Sequence, residues 1–492
     1  MPPPTRPQIE ATITLPTYAV QYWNGSAWTA LSNDDVAHVS GGNEAGVGLT
    51  FGAFASPGGS IRLWDTSAVA AISANRTRIR VQFGFSTSTQ LTRMIGIITD
   101  RTRTYGKQTH HIEWTIGGID QLISSVAIYS PMFYRRLVAT PTTATSIEDP
   151  TVNGYRGGLI NYIFWQCGGR PYEQVGTYPS AVFYYSCQPS LLTPEFSWIA
   201  GEDAWQELNR LCKAGAGQIF QDVDGTMRFI NAVSVSAAAS VTYGTGDAET
   251  ITERILTDHL ATSVRCSYTI RAVQPRQVVY EDATSKLITP GETLTLTIEP
   301  MLPVYQWIAP TSDSVYVTDL AMTRITVTPV LSNTTAARAT LTITNGDTKA
   351  WILSNITVHG RPVAAVAQGQ VREGAGTQEL PVGEDAGVYV QTRTHAQRLA
   401  RILADYGATT RAERTLEGML YDPDRTLAES TNMTLSDWGV SAVNHRTSRI
   451  SHDDTGGRMN MSVVDVTGLP VSSDLFQVGG TYAAGDTRRV GY

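Results

Sequence analysis

The stretch AGAGQIFQDVDGTMRFIN, residues 214–231, places a turn signal between two apolar runs and predicts the local fold. Asp224-Gly225 is typical of a two-residue type I′ turn, in which both central residues have positive φ. The register that follows pairs Val223 with Thr226, Gln221 with Arg228, Phe220 with Phe229 and Ile219 with Ile230. We therefore expect a β-hairpin with aromatic and aliphatic pairs facing each other across its strands.

The same turn resembles part of a calcium loop, because Asp222 and Asp224 precede a glycine. An EF-hand loop needs oxygen ligands at its first, third and fifth positions and a closing glutamate at the twelfth. With Gly225 as the sixth residue, the first position is Phe220 and the twelfth is Asn231. The spacing therefore favours a turn over a metal site.

An amphipathic helix is predicted before this hairpin. Asp203 can cap it, with Gln206 three residues on as a variant capping box. One face carries the apolar residues Trp205, Leu208, Leu211 and Cys212. Gly215 and Gly217 are expected to end the helix, so the unit reads as a helix packed on a hairpin.

The chain has 492 residues, enough for about three or four domains. No stretch approaches the ~18–20 apolar residues of a membrane span, and the N-terminus lacks a secretory apolar core. We therefore expect folding in a cytoplasm and no membrane span. The net charge of −7 is spread along the chain without a basic run, which argues against a nucleic-acid-binding face.

Four cysteines occur, and their gaps match no zinc pattern. Cys167 and Cys187 could form a bridge, but isolated thiols are more often small buried hydrophobic residues. Reduced thiols are the favoured reading, and the sequence leaves the redox state of this pair open.

Four blocks follow from the alternation of strand-like and helix-like patterns: residues 1–130, 131–235, 236–370 and 371–492. The first is strand-rich, with an Asn24-Gly25 type I′ turn and a strand whose inner residues are Ile79, Val81, Phe83 and Phe85. The second holds a helix at 159–167 and the helix–hairpin unit. The third is rich in Thr and Val, with a hairpin-like stretch at Asn345-Gly346.

A Gly-rich polar connector is predicted at 367–385, across the start of the last block. A helix follows, with Thr394 and Gln397 as a capping box and Gly407 at its end. Its apolar face is formed by Ala396, Leu399, Leu403 and Tyr406. The rest is strand-like, so the fold class is mainly β with α+β parts.

Candidate catalytic and metal residues are few. His110 and His111 are adjacent in a strand and face opposite sides, as do His445 and His452, seven residues apart. Glu202-Asp203 sits at a helix start, where carboxylates favour the helix dipole. No nucleophile elbow, HExxH or phosphate-loop motif occurs. We therefore predict no catalytic, cofactor-binding or metal site, although two distant carboxylates of a glycosidase stay open.

Aromatic residues offer a second reading as a sugar platform. The strand tryptophans are Trp23, Trp28, Trp64, Trp114 and Trp307. Aromatic residues in strands more often pack on neighbouring side chains, and packing is the favoured interpretation.

The order of segments resembles the tail hub proteins of tailed bacteriophages, also called baseplate hub or tail-tip hub proteins. The segments are DDVAHVSGG, GSIRLWDTS, MIGIITDRTRTYG and HIEWTIGGIDQLI near the start; DAWQELNRLCKAGAGQIFQDVDGTMRFIN; SNITVHGRPV; and THAQRLARILADYGA followed by HRTSRISHD. Each motif is weak alone, and their order carries the resemblance. The 367–385 connector and the residues after 470 match nothing in the family pattern.

The resemblance implies two tube-type β-barrel domains, at 1–130 and 236–370, and two smaller α+β domains. It also implies a homotrimer whose six barrels form a pseudo-six-fold ring that adapts the tail tube to a three-fold tip. The implied partners are the distal tail protein, the C-terminus of the tape-measure protein and a tip or fibre protein. DNA would pass through the lumen without specific binding, and a negative chain suits this passage.

Three alternatives stay open. A distal tail protein would form a hexameric ring, and a tip protein could bind carbohydrate or degrade cell wall. The expected location is the virion tail tip, after assembly in the cytoplasm of a bacterial host. The sequence leaves open the tail type, the host, the partner surfaces and the exact domain boundaries.

Overall fold

The structure is a computed structural model of the chain. It describes residues 17–45, 51–56, 58–84, 91–106, 110–130, 158–172, 181–188, 190, 192, 194–231, 241–257, 260–261, 263–377, 379–382, 389–408, 410–420, 422, 425–453 and 458–466.

The elements of the first half alternate between strands and short helices. In the first block the strands are β1 (Thr17–Trp23), β2 (Trp28–Ala30), β3 (Val36–Glu44), β4 (Gly52–Ala53), β5 (Gly58–Trp64), β6 (Arg78–Gly84), β7 (Leu91–Tyr105), β8 (His110–Gly117) and β9 (Ala127–Tyr129), with helices α1 (Ser67–Ala70) and α2 (Asp120–Ile123). The second block comprises α3 (Leu159–Gln166), β10 (Gly169–Pro171), β11 (Phe183–Cys187), β12 (Ala200–Asp203), α4 (Ala204–Gly215), β13 (Gly217–Gln221) and β14 (Met227–Asn231).

The second half is richer in strands. They are β15 (Val241–Gly244), β16 (Thr250–Leu256), β17 (Ser263–Val273), β18 (Gln277–Asp282), β19 (Lys286–Ile288), β20 (Thr293–Ile298), β21 (Val304–Trp307), β22 (Val315–Asp319), β23 (Arg324–Ile325), β24 (Val330–Ser332), β25 (Ala339–Thr344), β26 (Trp351–Gly374) and β27 (Glu379–Val382). The last block contains α5 (Arg393–Gly407), β28 (Arg411–Leu420), β29 (Ser430–Leu435), β30 (Val440–Asp453) and β31 (Arg458–Asp465). The predicted fold class, mainly β with α+β parts, is confirmed.

Strands from both ends of the chain form one 13-stranded sheet. Its path is β16-β28-β31-β30-β3-β5-β8-β7-β6-β1-β2, and β29 and β15 extend it from β30. On the N-terminal side, alternate residues of β5, β6 and β8 point into a core whose described buried residues lie between Val20 and Ile116. We call this part of the sheet the first barrel, because it covers a core of its own; its strand order in the described residues is open and ends at β2.

A second barrel-type domain occupies the other side of the same sheet. Its core gathers residues of β15, β28, β29, β30 and β31, with Phe220 and Ile230 from the β13–β14 hairpin. β16 pairs with β28, and β28 pairs with β31. The strands of this domain therefore come from both sides of residues 263–374 in the sequence. The predicted range 236–370 for a second barrel therefore meets this domain only at β15 and β16.

Residues 263–374 form a β module, which we call the separate β module because most of it has its own core; its end at Val264, Cys266 and Val371 packs on the core of the helices. An eight-stranded sheet is organised around β26, which pairs with β17, β18, β19, β21 and β22, and a three-stranded sheet of β20, β25 and β24 covers it. The two sheets share a core of their own, among them Ile298, Leu341 and Ile356. The helices α3, α4 and α5 pack with the hairpin and β17 in a further core that joins the parts.

The hairpin of the opening stretch forms, but the predicted register is wrong by one residue. Ile219 faces Phe229, and Phe220 faces Arg228. The Gly225 N–H donates to the Asp222 carbonyl at 2.9 Å, and Gly225 alone in the turn has positive φ, at 82°. The loop is therefore a three-residue type I turn with a left-handed glycine, and the extra residue shifts the pairing.

Burial on both faces explains why this register wins. Ile219 and Phe229 enter the core of the helices, whereas Phe220 and Ile230 enter the core of the second barrel. A slip of one residue would exchange the two sets between different cores.

The Asn24-Gly25 turn is also longer than predicted. Trp23 pairs with Trp28, so the loop has four residues instead of two. The Asn24 side-chain oxygen accepts hydrogen bonds from the backbone N–H groups of Ser26 and Ala27, at 3.0 and 2.9 Å. This Asx arrangement replaces the type I′ turn.

One predicted helix cap is wrong, and another is confirmed. The cap of α5 is Thr392, whose hydroxyl accepts from the His395 N–H at 3.0 Å, and not Thr394. Helix α4 begins as predicted, with Asp203 accepting from the Gln206 N–H at 2.9 Å, and it ends on a left-handed Ala216.

The predicted connector at 367–385 is a strand over much of its length. β26 runs to Gly374 and pairs with β17, and β27 covers Glu379–Val382; residues 378 and 383–385 lie outside the described residues. Most residues of this part of β26 are polar or small and are at least partly exposed, so the sequence pattern is typical of a loop. Asn345-Gly346 does not close a hairpin either, because β25 and β26 belong to different sheets.

Candidate functional site

The turn carboxylates serve the hairpin and its neighbour. Asp222 is buried, accepts from the backbone N–H groups of Val223 and Leu427 at 2.8 and 3.0 Å, and forms an ion pair with Arg228. Burial raises the pKa of Asp222, and Arg228 opposes that shift. Asp224 accepts from the Thr226 N–H at 2.8 Å. Both carboxylates therefore have the partners of a turn, as the spacing predicts.

The predicted histidine pairs are not brought together into a cluster. His445 approaches Arg414 and the Val443 carbonyl, the latter at 2.7 Å, whereas the ring of His452 lies 5.8 Å from that of Phe83. Burial lowers the pKa of His452 to about 3. Among the described residues, no group of three or more His, Cys, Asp or Glu side chains is arranged to hold a metal ion.

The five tryptophans do not share a surface. Trp114 is fully buried in the first barrel, and Trp64 is 44% exposed at the end of β5. Trp307 lies in the separate β module, where its Nε1 donates to the Thr335 carbonyl at 2.7 Å. Only Trp23 and Trp28 meet, edge to face at 5.6 Å. A platform built from all five is therefore wrong, and packing accounts for most of them.

The remaining sequence candidates have local roles. Cys167 and Cys187 are half-buried and are not joined in a disulfide, and burial raises the pKa of Cys167 to about 12. Glu202 accepts from the Ala200 N–H at 2.7 Å beside the capping Asp203. No helix in the part of the chain that the structure describes is long and apolar enough to cross a membrane.

The feature that sequence reasoning missed is the seam between the two barrels, formed by β3 and β30. Ser40 to Glu44 pair antiparallel with Arg449 to Asp453, and the Ala45 N–H donates to the Ser448 carbonyl at 2.7 Å. The seam makes the two barrels one continuous sheet. A single chain therefore supplies two side-by-side barrel units in a fixed orientation.

Glycine makes the close approach at the seam possible. A Cβ on Gly42 would lie 2.9 Å from both the Ile450 carbonyl oxygen and the Ser451 Cβ. A matching sequence signal exists only for the neighbour of β3 on its other side, β5, because SGG at 40–42 is mirrored by GGS at 58–60. The two segments pair residue for residue as neighbouring strands.

The inner and outer faces of the continuous sheet differ in chemistry. Side chains of a strand alternate between faces. In the first barrel Val39, Ile61 and Trp114 form an inner row, and in the second Ile450, Met461 and Leu416 form another. The outer rows comprise Ser40, Ser60 and Thr115 in the first barrel and Thr252, Thr415, Ser462, Arg449 and Glu44 across the seam.

Small hydroxyl groups and mixed charges line this outer face. Ser40 and Ser60 lie 3.1 Å apart through their Oγ atoms, and Thr415 Oγ1 lies 3.1 Å from Ser462 Oγ. Charged side chains beside these hydroxyl groups are both positive and negative; for example, Arg62 Nη2 lies 3.8 Å from Glu113 Oε2. The face is therefore polar without an excess of positive charge, and we call it the polar outer face.

Comparison with solved structures finds tail proteins. The 43 kDa tail protein of prophage MuSo2 from Shewanella oneidensis is 9% identical, with a TM-score of 0.44 over 91% of this chain and 98% of that chain. A tail protein from Neisseria meningitidis MC58 is also 9% identical, with a TM-score of 0.44 over 92% and 98%. Prophage tail protein gp18 from Listeria monocytogenes EGD-e is 6% identical, with a TM-score of 0.39 over 93% and 96%.

The titles of these structures name the class of protein that the sequence resembles. The TM-scores lie below 0.5 and the identities at or below a tenth, so these likenesses carry no further argument. The chain matches no family model, and no curated protein sequence matches it.

Proposed function

We propose that this chain is a structural hub of a phage tail, in which three copies form a ring of six barrels at the tail tip. The seam is the observation that supports this proposal most strongly. One chain carries two barrel-type units joined edge to edge through β3 and β30. Three such chains supply six units, which matches a six-fold tube, while the ring itself has three-fold symmetry.

The polar outer face supports a lumen that passes DNA. A tube wall that binds phosphates would hold DNA in place, because each Lys or Arg contact to a phosphate adds to non-specific affinity. Hydroxyl groups and charges of both signs avoid that affinity. We propose that the polar outer face lines the lumen and that DNA passes without specific binding.

The strand pairings also support a revised domain division. The proposal assigns residues 17–117 to the first barrel, and 241–256 together with 411–466 to the second. The β module of residues 263–374 and the helical part around α3, α4 and α5 are the two smaller units. They would face outward to the distal tail protein, the C-terminus of the tape-measure protein and a tip or fibre protein.

The mass in solution tests this proposal. Three copies of the 53.3 kDa chain give about 160 kDa, and light scattering on the purified protein should report that mass. A hexamer of twice that mass would favour the distal tail protein instead. The hub also predicts no turnover, so a cell-wall zymogram with a clearing band would contradict the structural role.

A further inference from the structure

A cleft of about 520 Å³ lies at the end of the first barrel, between the β1–β2 hairpin and the loop that leads into β6. Its volume falls in the range of ~300–1,000 Å³ that small-molecule sites occupy. Trp23 forms part of one wall, and residues 73–78 form the other.

Both walls of the cleft are held in place by local hydrogen bonds. Asn24 locks the hairpin loop through Ser26 and Ala27, as described above. On the opposite wall the Thr77 hydroxyl donates to the Ser73 carbonyl at 2.6 Å, and the Arg76 Nη1 donates to the Ser125 Oγ at 2.9 Å. The cleft is therefore preorganised, which lowers the entropic cost of binding.

Arg76 has a backbone conformation that is uncommon for its residue type. Its φ is 53°, in the left-handed region, which costs an arginine about 1 kcal/mol relative to glycine. Strained residues of this kind persist where the surrounding structure holds them, and they cluster at ligand sites. The conformation places an exposed arginine on the wall of the cleft.

The charge of the cleft is positive. Arg76 and Arg78 line it, and no Asp or Glu is among its described lining residues. Arg78 donates to the carbonyls of Ala181 and Val182 at 2.8 and 3.1 Å, and its guanidinium lies 4.3 Å from the centre of the Trp23 ring. Within the described ranges, neither arginine has a carboxylate partner in an ion pair. The chain as a whole carries −7, so this absence of acidic residues is a local feature.

The rest of the lining suits a ligand whose ring has an apolar face and carries hydroxyl groups. Trp23, Ala71 and Ile72 supply apolar surface, and Ser73 and Asn75 supply polar groups. Asn75 is exposed, so its amide is accessible to a ligand. Together with two unneutralised guanidinium groups, this is the lining that a sugar acid needs.

We propose that this cleft binds an acidic carbohydrate, a hexose-sized ring that carries a carboxylate or a phosphate. The ring packs against Trp23 and Ile72, its hydroxyl groups meet Asn75 and Ser73, and its acid group pairs with Arg76. Arg78 stacks on Trp23 and contributes positive charge. This role goes beyond the hub and is independent of the oligomeric state.

A titration followed at Trp23 tests the proposal. The full-length protein is labelled with 5-fluorotryptophan, and the ¹⁹F signal of Trp23 is assigned with a Trp23→Phe variant. Glucuronate and glucose 6-phosphate should shift this signal saturably at millimolar concentration. Glucose should bind about tenfold more weakly, because it lacks the charge-assisted hydrogen bonds to Arg76.

Two variants separate the site from general charge effects. Arg76→Asn keeps a residue that tolerates positive φ and should weaken binding of both acidic sugars about tenfold. Arg324→Asn removes the same charge from an exposed position in the separate β module and should leave binding unchanged. Equal binding by wild type and Arg76→Asn, or no shift of the Trp23 signal, would overturn the proposal. Inorganic phosphate that binds as tightly as glucose 6-phosphate would overturn its carbohydrate part.

Discussion

Gly225 shows how one residue decides a register. Its left-handed φ of 82° completes the three-residue turn, and a Cβ there would lie 2.7 Å from the Ile95 side chain on β7. The turn is therefore fixed both by its backbone conformation and by close packing on the first barrel. Asp222 adds a link to the second barrel through the Leu427 N–H.

Gly225→Ala should lower the free energy of unfolding by about 1–3 kcal/mol, from the left-handed conformation and the contact with Ile95. Chemical denaturation measures this change. Gly246→Ala is the matched control, since no atom lies within 4 Å of its Cβ position and its φ is not positive. Equal stability of the two variants would show that the turn at 222–226 tolerates a side chain.

His395 makes stability depend on pH. It is buried in α5, its Nε2 lies 2.7 Å from the Ala214 carbonyl oxygen, and burial lowers its pKa from 6.5 to about 4. The unfolded chain binds a proton below 6.5, whereas the folded chain resists it until about 4. Stability is therefore full above pH 6.5 and is lost as the pH falls towards 4.

His395→Gln should remove this part of the acid sensitivity, while its amide can still donate to Ala214. Between pH 7 and pH 4.5 the wild type should lose up to about 3 kcal/mol more than the variant. Denaturation midpoints at the two pH values provide the measurement. A difference that stays constant with pH would contradict a buried neutral His395.

At the residue scale, sequence patterns predict the buried face of a strand better than the length of a turn. Ile79, Val81 and Phe83 are buried as strict alternation requires, and Phe85 lies outside the described residues. The turns at Asn24 and Asp224 were wrong because side-chain oxygens and tertiary contacts, which sequence spacing does not contain, add residues to each loop.

At the scale of elements, the seam organises the molecule. β3 and β30 come from opposite ends of the chain, so no local signal could predict that they pair. The mirrored SGG and GGS segments predict at most that β3 and β5 are neighbours. The segment 367–385 likewise predicts a connector, because its few apolar residues, such as Val371, Leu380 and Val382, are too widely spaced to show the alternation of a core strand.

Gly42→Val should open the seam, because its side chain would collide with the Ile450 carbonyl and with Ser451. Amide hydrogen exchange should then speed up in β3 and β30 while β26 stays protected. Gly346→Val, at a position with no atom within 4 Å of its Cβ, is the control. Unchanged protection in β3 and β30 of the Gly42 variant would contradict the role given to the seam.

At the scale of the whole molecule, the proposed lumen makes a charge prediction. Ser40→Lys, Ser60→Lys and Thr115→Lys together add three positive charges per chain to the polar outer face. The variant should gain DNA binding that weakens steeply with salt, with a slope of about −0.9 per phosphate contact. The wild type should show no such binding.

Three lysines at Thr293, Thr295 and Thr297, exposed on β20 of the separate β module, provide the control for net charge. Filter binding across a salt series compares the two variants. If both bind DNA equally, the polar outer face does not line a lumen.

The alternation of strand-like and helix-like segments along the chain is enough to predict the fold class. It does not show which strands build the second barrel. The strands β15 and β16 pair with β29 and β28, and the separate β module lies between the two groups in the sequence. The assembly of several chains is also beyond sequence patterns, because they do not show which surfaces of two copies contact each other.

Electron microscopy of the purified protein tests the central claim most directly. Class averages should show a ring of three-fold symmetry with a central hole and six barrel-sized densities around it, two from each chain. A six-fold ring with one chain per density, or a ring in which each chain contributes a single barrel to the wall, would contradict the account.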